Sequence, residues 1–404
     1  MSAADSERLR ADFPSLQAAG GKRPVYFDNA CTTLRPLQVV EEMNEYYLRH
    51  PSCHKRSVHA FGRMTDEKFE AAREAARAFI NAEHASEIIF TRNTTEGINL
   101  IAGSYPFKEG DTVVTTDLEH NSNLIPWRAL GERKGVRLTT VPVGPDGNFD
   151  LDALRAALRG GVKLVSVFSH SHVLGIAAPL AEIARLTHAA GGKLLVDAAQ
   201  TPLHEKLDVR ALAADFLVLS FHKMLGPSGM GLLYGRRALL EELPQFLTGG
   251  ETVEDVDDRG YVPAAVPHRF EAGLQNYAGA MGAHAAIRYL DRVGFCRREH
   301  EIELNEIITE GLAGLDRFRL LGPRDPRRRG SIVNFYLDGM DSGELSILLD
   351  KTESIMTRSG VHCCHAWYRK YRLPPTLRAS LAFYNTREEA ELFVRTLKNV
   401  SDYF

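Results

Sequence analysis

The chain has 404 residues, 44% of them hydrophobic and 25% charged, with a formal net charge of −3. That length exceeds what one compact core accommodates, so two domains are expected. The near-neutral balance gives no electrostatic footing for nucleic acid or an anionic membrane, and no apolar run has membrane-spanning length.

Five cysteines (Cys31, Cys53, Cys296, Cys363 and Cys364) are odd in number and irregular in spacing. This argues against a disulfide framework and for a reducing compartment. The segment from Met1 to Arg10 has no apolar core of the signal-peptide kind, so a cytoplasmic location is expected. Along the chain, short apolar runs alternate with amphipathic stretches. Strands are predicted at 87–91, 112–116, 136–143, 163–169, 193–197, 216–220 and 231–234, with helices such as 65–81 and 180–190 between them. Such alternation predicts an α/β fold with a mostly parallel sheet. From about residue 260 the pattern turns α+β. Helices are predicted at 274–293, 297–315, 342–351 and 387–400, strands at 331–337, 355–357 and 377–383, and a loop over 322–330. Ligands of parallel sheets sit at the carboxyl ends of the strands. Thr94, His120, His172, Asp197 and Lys223 all fall at or just past predicted strand ends.

Two of these ends carry chemistry. Asp215-Phe-Leu-Val-Leu-Ser-Phe-His-Lys223 is an apolar strand running into a lysine, followed by the turn Gly226-Pro227-Ser228-Gly229. A buried unpaired ammonium is costly. Burial therefore favours the neutral amine, which attacks aldehydes. Upstream, Leu194-Leu-Val-Asp-Ala-Ala-Gln200 places a carboxylate at the end of a second apolar strand. An Asp opposite the pyridinium nitrogen of pyridoxal 5'-phosphate (PLP) makes that ring an electron sink. Asp197 and Lys223 together point to a PLP enzyme. The glycines of 226–231 lack the G-x-G-x-x-G order of a dinucleotide site and read as a turn. His362-Cys363-Cys364-His365 lacks the spaced pairs of zinc ligands, so no metal site is expected.

At these residues the chain resembles fold-type I PLP enzymes of the class V aminotransferase superfamily. Within it the chain is similar to the group II (SUF-type) cysteine desulfurases and selenocysteine lyases. The likeness runs from Tyr26-Phe-Asp-Asn-Ala30 to Arg378-Ala-Ser-Leu-Ala-Phe-Tyr-Asn-Thr386. The family's Arg-Thr/Ser-Gly-x-His-Cys motif stands here as Arg358-Ser-Gly-Val-His-Cys363, and the interval from Cys363 to Arg378 is short, as in group II. The resemblance implies a large PLP-binding domain with a mostly parallel central sheet over 20–260. A smaller α+β domain would be formed by 1–19 with 261–404.

The resemblance also implies roles. Lys223 is the Schiff-base lysine and then the base that moves the substrate α-proton. Asp197 pairs with the pyridinium, Gln200 donates to the phenolate oxygen, and His120 stacks on the ring. Thr94, Thr95, Ser220 and His222 hold the phosphate. Arg378 clamps the substrate α-carboxylate, Arg56 lies at the substrate mouth, and Asn29 contacts substrate. Cys363 is the thiolate that takes sulfur from L-cysteine, leaving L-alanine; by their nearness in the motif, Arg358 and His362 are expected to help lower its pKa. The persulfide then passes to a sulfur-acceptor protein, for iron–sulfur clusters or other sulfur biosynthesis. A homodimer with each site at the subunit boundary is implied as well. Some positions depart from the family pattern. His172, a cofactor and substrate contact by position, replaces the usual Asn, Leu274 replaces a Thr, and Ser57 replaces a Gly in Lys55-Arg56-Ser57-Val58-His59. Selenocysteine lyase, another β-elimination, transamination and epimerisation are alternatives on the same fold. A sulfur-relay binding protein with little turnover is the alternative from another class.

Overall fold

The computed structural model describes residues 3–17, 22–55, 57–294 and 298–402. Seven strands form the main sheet: β1 (Ile88–Thr91), β2 (Thr112–Thr116), β3 (Arg137–Val141), β4 (Leu164–Phe168), β5 (Lys193–Asp197), β6 (Phe216–Ser220) and β7 (Gly231–Gly235). Their order is β1-β7-β6-β5-β4-β2-β3. Only β7 runs antiparallel to its neighbours. Every residue of β1, β4, β6 and β7 is buried, as near-continuous apolar runs require when helices cover both faces of a sheet. The α/β reading therefore holds. Strand β3 ends at Val141 because the next N–H that faces β2, that of Val143, is taken by the Asp117 carboxylate at 2.9 Å instead of continuing the ladder.

The helices differ from expectation mainly at their starts. Helix α1 spans Leu37–Arg49 and α2 spans Ala60–Phe79. Helix α2 begins five residues before the predicted start because His59 caps it, its Nδ1 accepting from Gly62 N–H at 3.2 Å. Histidine is not among the usual caps, so the sequence carried no start signal there. Helix α3 (Thr94–Ser104) follows β1 directly, capped by Asn93. Helix α4 (Tyr277–Val293) packs on α1 and α2, and Val39, Tyr46, Phe69, Ala286 and Leu290 share one apolar core with the sheet.

A second core lies under a four-stranded antiparallel sheet: β8 (Phe318–Leu321), β9 (Ile332–Leu337), β10 (Arg358–Gly360) and β11 (Thr376–Ser380), in the order β8-β9-β11-β10. Val333, Phe335 and Leu377 meet Leu304, Phe393 and Leu397 there, together with Val25 and Phe27. The predicted strand at 355–357 is split. Ile355–Met356 pairs in parallel with Val25–Tyr26, while Arg358–Gly360 joins β11. The predicted loop over 322–330 contains a short helix, Pro326–Arg329, started by Asp325 and Pro326. Arg329 from it is fully buried and donates to Asn305 Oδ1 at 2.8 Å.

The topology gathers the chemistry at one sheet edge. Strands β2, β4, β5 and β6 lie close together in the sheet; Asp197 is the last residue of β5, and the turns after β2, β4 and β6 carry His120, His172 and Lys223. The turn between β10 and β11 approaches the same edge, where the Asn121 N–H donates to the Cys363 carbonyl at 2.8 Å.

Candidate active site

A cavity of about 230 Å³ opens at that edge. Thr94, Thr95, His120, His172, Asp197, Gln200, Ser220, His222, Lys223, Cys363 and Arg378 line it together. Two candidates fall elsewhere. Asn29 is buried behind the wall, where its amide donates to the Ser380 carbonyl at 2.8 Å and its Oδ1 accepts from Tyr384 O–H; it is not among the lining residues. Arg56 lies outside the described residues.

Lys223 closes the short 3₁₀ turn Phe221–Lys223 that follows β6. Burial lowers its pKa, and the Asp197 carboxylate opposes that only in part. The shift is in the direction of the free amine that a carbonyl-attacking lysine needs. Asp197 ends β5 and is buried, with Oδ1 accepting from Ala199 N–H at 2.9 Å. Burial raises its pKa, against the pull of that hydrogen bond and of Lys223. A cationic ring N–H beside it would restore the carboxylate. Gln200 donates to the Ala30 carbonyl at 2.9 Å, which orients its amide in the wall.

One end of the cavity is suited to an anion. It is formed by the first turn of α3, whose N–H groups have no acceptor within the helix. Thr94 N–H donates to Ser220 Oγ at 2.9 Å, and the two hydroxyls lie 2.7 Å apart. Thr95 Oγ1 is 2.7 Å from Ser122 Oγ. Elsewhere in the lining Arg378 is buried, donating to the His172 carbonyl at 2.8 Å and facing Asp28 at 3.3 Å. Its Nε finds no acceptor among the described residues, as expected where a ligand carboxylate completes the site. Two groups suited to anions, a lysine and a buried carboxylate in one cavity fit PLP carrying an amino acid.

The histidines here are neutral. Burial, then Lys223, Arg378 and Arg358, push His120 down to about 3, and burial with Lys223 and Arg35 pushes His222 down to about 4. His172 is also held well below the usual range, by burial first. The unfolded chain protonates His120 below about pH 6.5, whereas the fold refuses that proton. The stability from the neutral ring is thus full above about 6.5 and lost as pH falls toward about 3. NMR of the imidazole should show no titration of His120 between about pH 8 and 5; a midpoint near 6.5 would contradict this environment.

Around Cys363 the chain makes a turn: His362 and Cys363 adopt φ of 48° and 56°, and Cys364 N–H bonds to the Val361 carbonyl at 2.8 Å. One expectation is corrected, since His362 is not a cation beside the thiol. It is buried and held well below the usual histidine range, with Nε2 2.9 Å from Thr376 Oγ1. Cys364 points away from the cavity, its Sγ donating to the Glu119 carbonyl at 3.3 Å, and burial pushes its thiol well up. Sequence reasoning overlooked Cys31, which also lines the cavity and whose Sγ is 2.9 Å from Arg358 Nη1. Its place directly after Tyr26-Phe-Asp-Asn-Ala30 was the available signal.

The chain matches the class V aminotransferase family over residues 25–393. It is 39% identical to a probable cysteine desulfurase from Xylella fastidiosa, over 98% of this chain and 95% of that one. It is 37% identical to a cysteine desulfurase from Serratia proteamaculans, over 98% of each chain. Among solved structures it is similar to the apo cysteine desulfurase from Thermococcus onnurineus (TM-score 0.94, 37% identity, 98% of each chain). It is also similar to the Escherichia coli cysteine desulfurase CsdA in its S-sulfonic acid form (TM-score 0.91, 31% identity, 99% of each chain). A match of this extent, on a chain whose cavity brings Lys223, Asp197 and Cys363 together, shows that the protein belongs to the class V aminotransferase family and, within it, to the cysteine desulfurases.

Proposed function

We propose that the protein converts L-cysteine to L-alanine with PLP, taking the sulfur as a persulfide on Cys363 for delivery to an acceptor protein. The observation that carries this reading is the shared cavity of Lys223, Asp197 and Cys363. When bound, PLP supplies an aldehyde for amine attachment and a ring that takes up the electrons of the breaking Cα–H bond. Thr94, Thr95, Ser220 and His222 hold the phosphate at the start of α3. With the cofactor bound, Asp197 would hold the proton of the ring nitrogen, Gln200 would serve the phenolate oxygen, and the His120 ring would pack on the cofactor and keep water out.

Lys223 anchors the cofactor, then holds and moves the substrate α-proton. Arg378 binds the α-carboxylate as a bidentate partner. Cys363 attacks the substrate sulfur as thiolate, the Cβ–S bond breaks, and the carbon side takes the bonding pair and a proton to leave as alanine. The assay that tests this reading feeds purified, PLP-loaded protein L-cysteine with a thiol reductant. Alanine and sulfide should form in equal amounts. Sulfide with pyruvate, or turnover of selenocysteine alone, would move the protein to another reaction of the same fold.

A homodimer belongs to the same proposal. The antiparallel pair Val253–Val256 and Tyr261–Pro263 is almost wholly exposed, and Val256, Tyr261, Val262, Leu247 and Leu274 are exposed apolar side chains that a second subunit would cover. Sedimentation should give a dimer, and an active monomer would refute this assembly.

A further inference from the structure

Two consecutive residues with side chains, His362 and Cys363, hold φ of 48° and 56°. This left-handed region is disfavoured for all but glycine, so the surroundings must impose it. The carbonyls of both residues are gripped from the main-sheet side. That of Cys363 accepts from the Asn121 backbone N–H at 2.8 Å, a donor that any residue at 121 except proline supplies. That of His362 lies 2.8 Å from His172 Nε2. A carbonyl only accepts, so the imidazole carries its proton on Nε2 and donates. This second grip depends wholly on which residue stands at 172.

The His172 ring is itself held in place. It meets the His120 ring edge to face with centroids 4.9 Å apart, and its own carbonyl accepts from Arg378 Nη1 at 2.8 Å. His172 is buried, and no water competes for a buried hydrogen bond of this kind.

We propose that His172 is a positioning residue for Cys363: its Nε2–H holds the His362 carbonyl and thereby fixes the left-handed turn that presents the thiol to the cavity. The proposal rests on the desulfurase reading only in giving that thiol its task. The geometry itself can be tested without turnover.

Three substitutions separate the hydrogen bond from the volume of the ring. In His172→Gln the side-chain amide N–H takes the place of Nε2–H. His172→Asn is too short to reach. His172→Phe keeps a ring against His120 but has no donor. In PLP-loaded protein, hydrogen exchange is read at the Asn121 and Cys364 amides, which bond to Cys363 and Val361. The rate at which a maleimide modifies Cys363 is read beside it. With the tether gone in Phe and Asn, both rates should rise about tenfold, roughly what losing one buried hydrogen bond allows. Gln should stay within about threefold of wild type. Exchange along β5 should not change in any variant, which separates local release of the turn from general loosening. Alanine release should fall in kcat with little change in KM in Phe and Asn, and recover in Gln.

Wild-type exchange and modification in Phe and Asn would overturn the proposal, whatever their turnover. So would a Gln variant that behaves like Phe. If no variant, nor wild type, forms alanine while exchange follows the expected pattern, the desulfurase reading fails and the tether stands.

Discussion

Cys363→Ser should lower alanine release from L-cysteine by orders of magnitude while leaving substrate binding intact. A hydroxyl keeps the shape but is a far poorer nucleophile toward sulfur than a thiolate. Lys223, Asp197 and Arg378 are untouched, so adding L-cysteine should still perturb the PLP absorbance. Cys364→Ser is the matched control. That side chain is buried, bonded to the Glu119 carbonyl and held protonated; a serine hydroxyl has the same acceptor, and activity should stay near wild type. Wild-type alanine release from Cys363→Ser would place the protein with another reaction of the family.

Lys223→Ala should abolish turnover altogether, at an earlier point than Cys363→Ser. It removes the proposed covalent anchor, which is the only lysine among the residues lining the cavity. PLP should still bind through the start of α3 and Asp197, only more weakly, and L-cysteine should then be consumed at no measurable rate. Borohydride should fix the cofactor to a peptide containing Lys223 in wild type and to no peptide of the cavity in the variant. A wild-type protein that takes up no visible absorbance with PLP, or that is reduced at another lysine, would contradict the assignment of Lys223.

Much of this site was legible because strands write themselves plainly. The apolar runs ending at Asp197 and Ser220 are buried on both faces, so their carboxyl ends could be located from the pattern alone, and with them the turns that bear Asp197 and Lys223. What the pattern hid were conformations set by tertiary contacts. Nothing local announces that His362 and Cys363 take positive φ, since neither is glycine; Asn121 and His172 impose it from more than 180 residues away. The reading of His362 as a helpful cation failed for a related reason: residue type gave its charge range, but burial beside Thr376 decided its state. Asn29 sits next to lining residues in sequence, yet its hydrogen bonds to Ser380 and Tyr384 turn it into the scaffold. The His59 cap of α2 was hidden because capping by a ring nitrogen depends on its orientation, which composition does not give.

Whether sulfur passes through Cys363 is the question on which everything else turns. It is tested most directly by mass spectrometry of the Cys363 peptide after PLP-loaded protein meets a stoichiometric amount of L-cysteine without reductant. The expected result is one added sulfur atom on Cys363, removed by reductant and formed together with one equivalent of alanine. Alanine formed with an unmodified Cys363, or sulfur found on Cys31 alone, would contradict it.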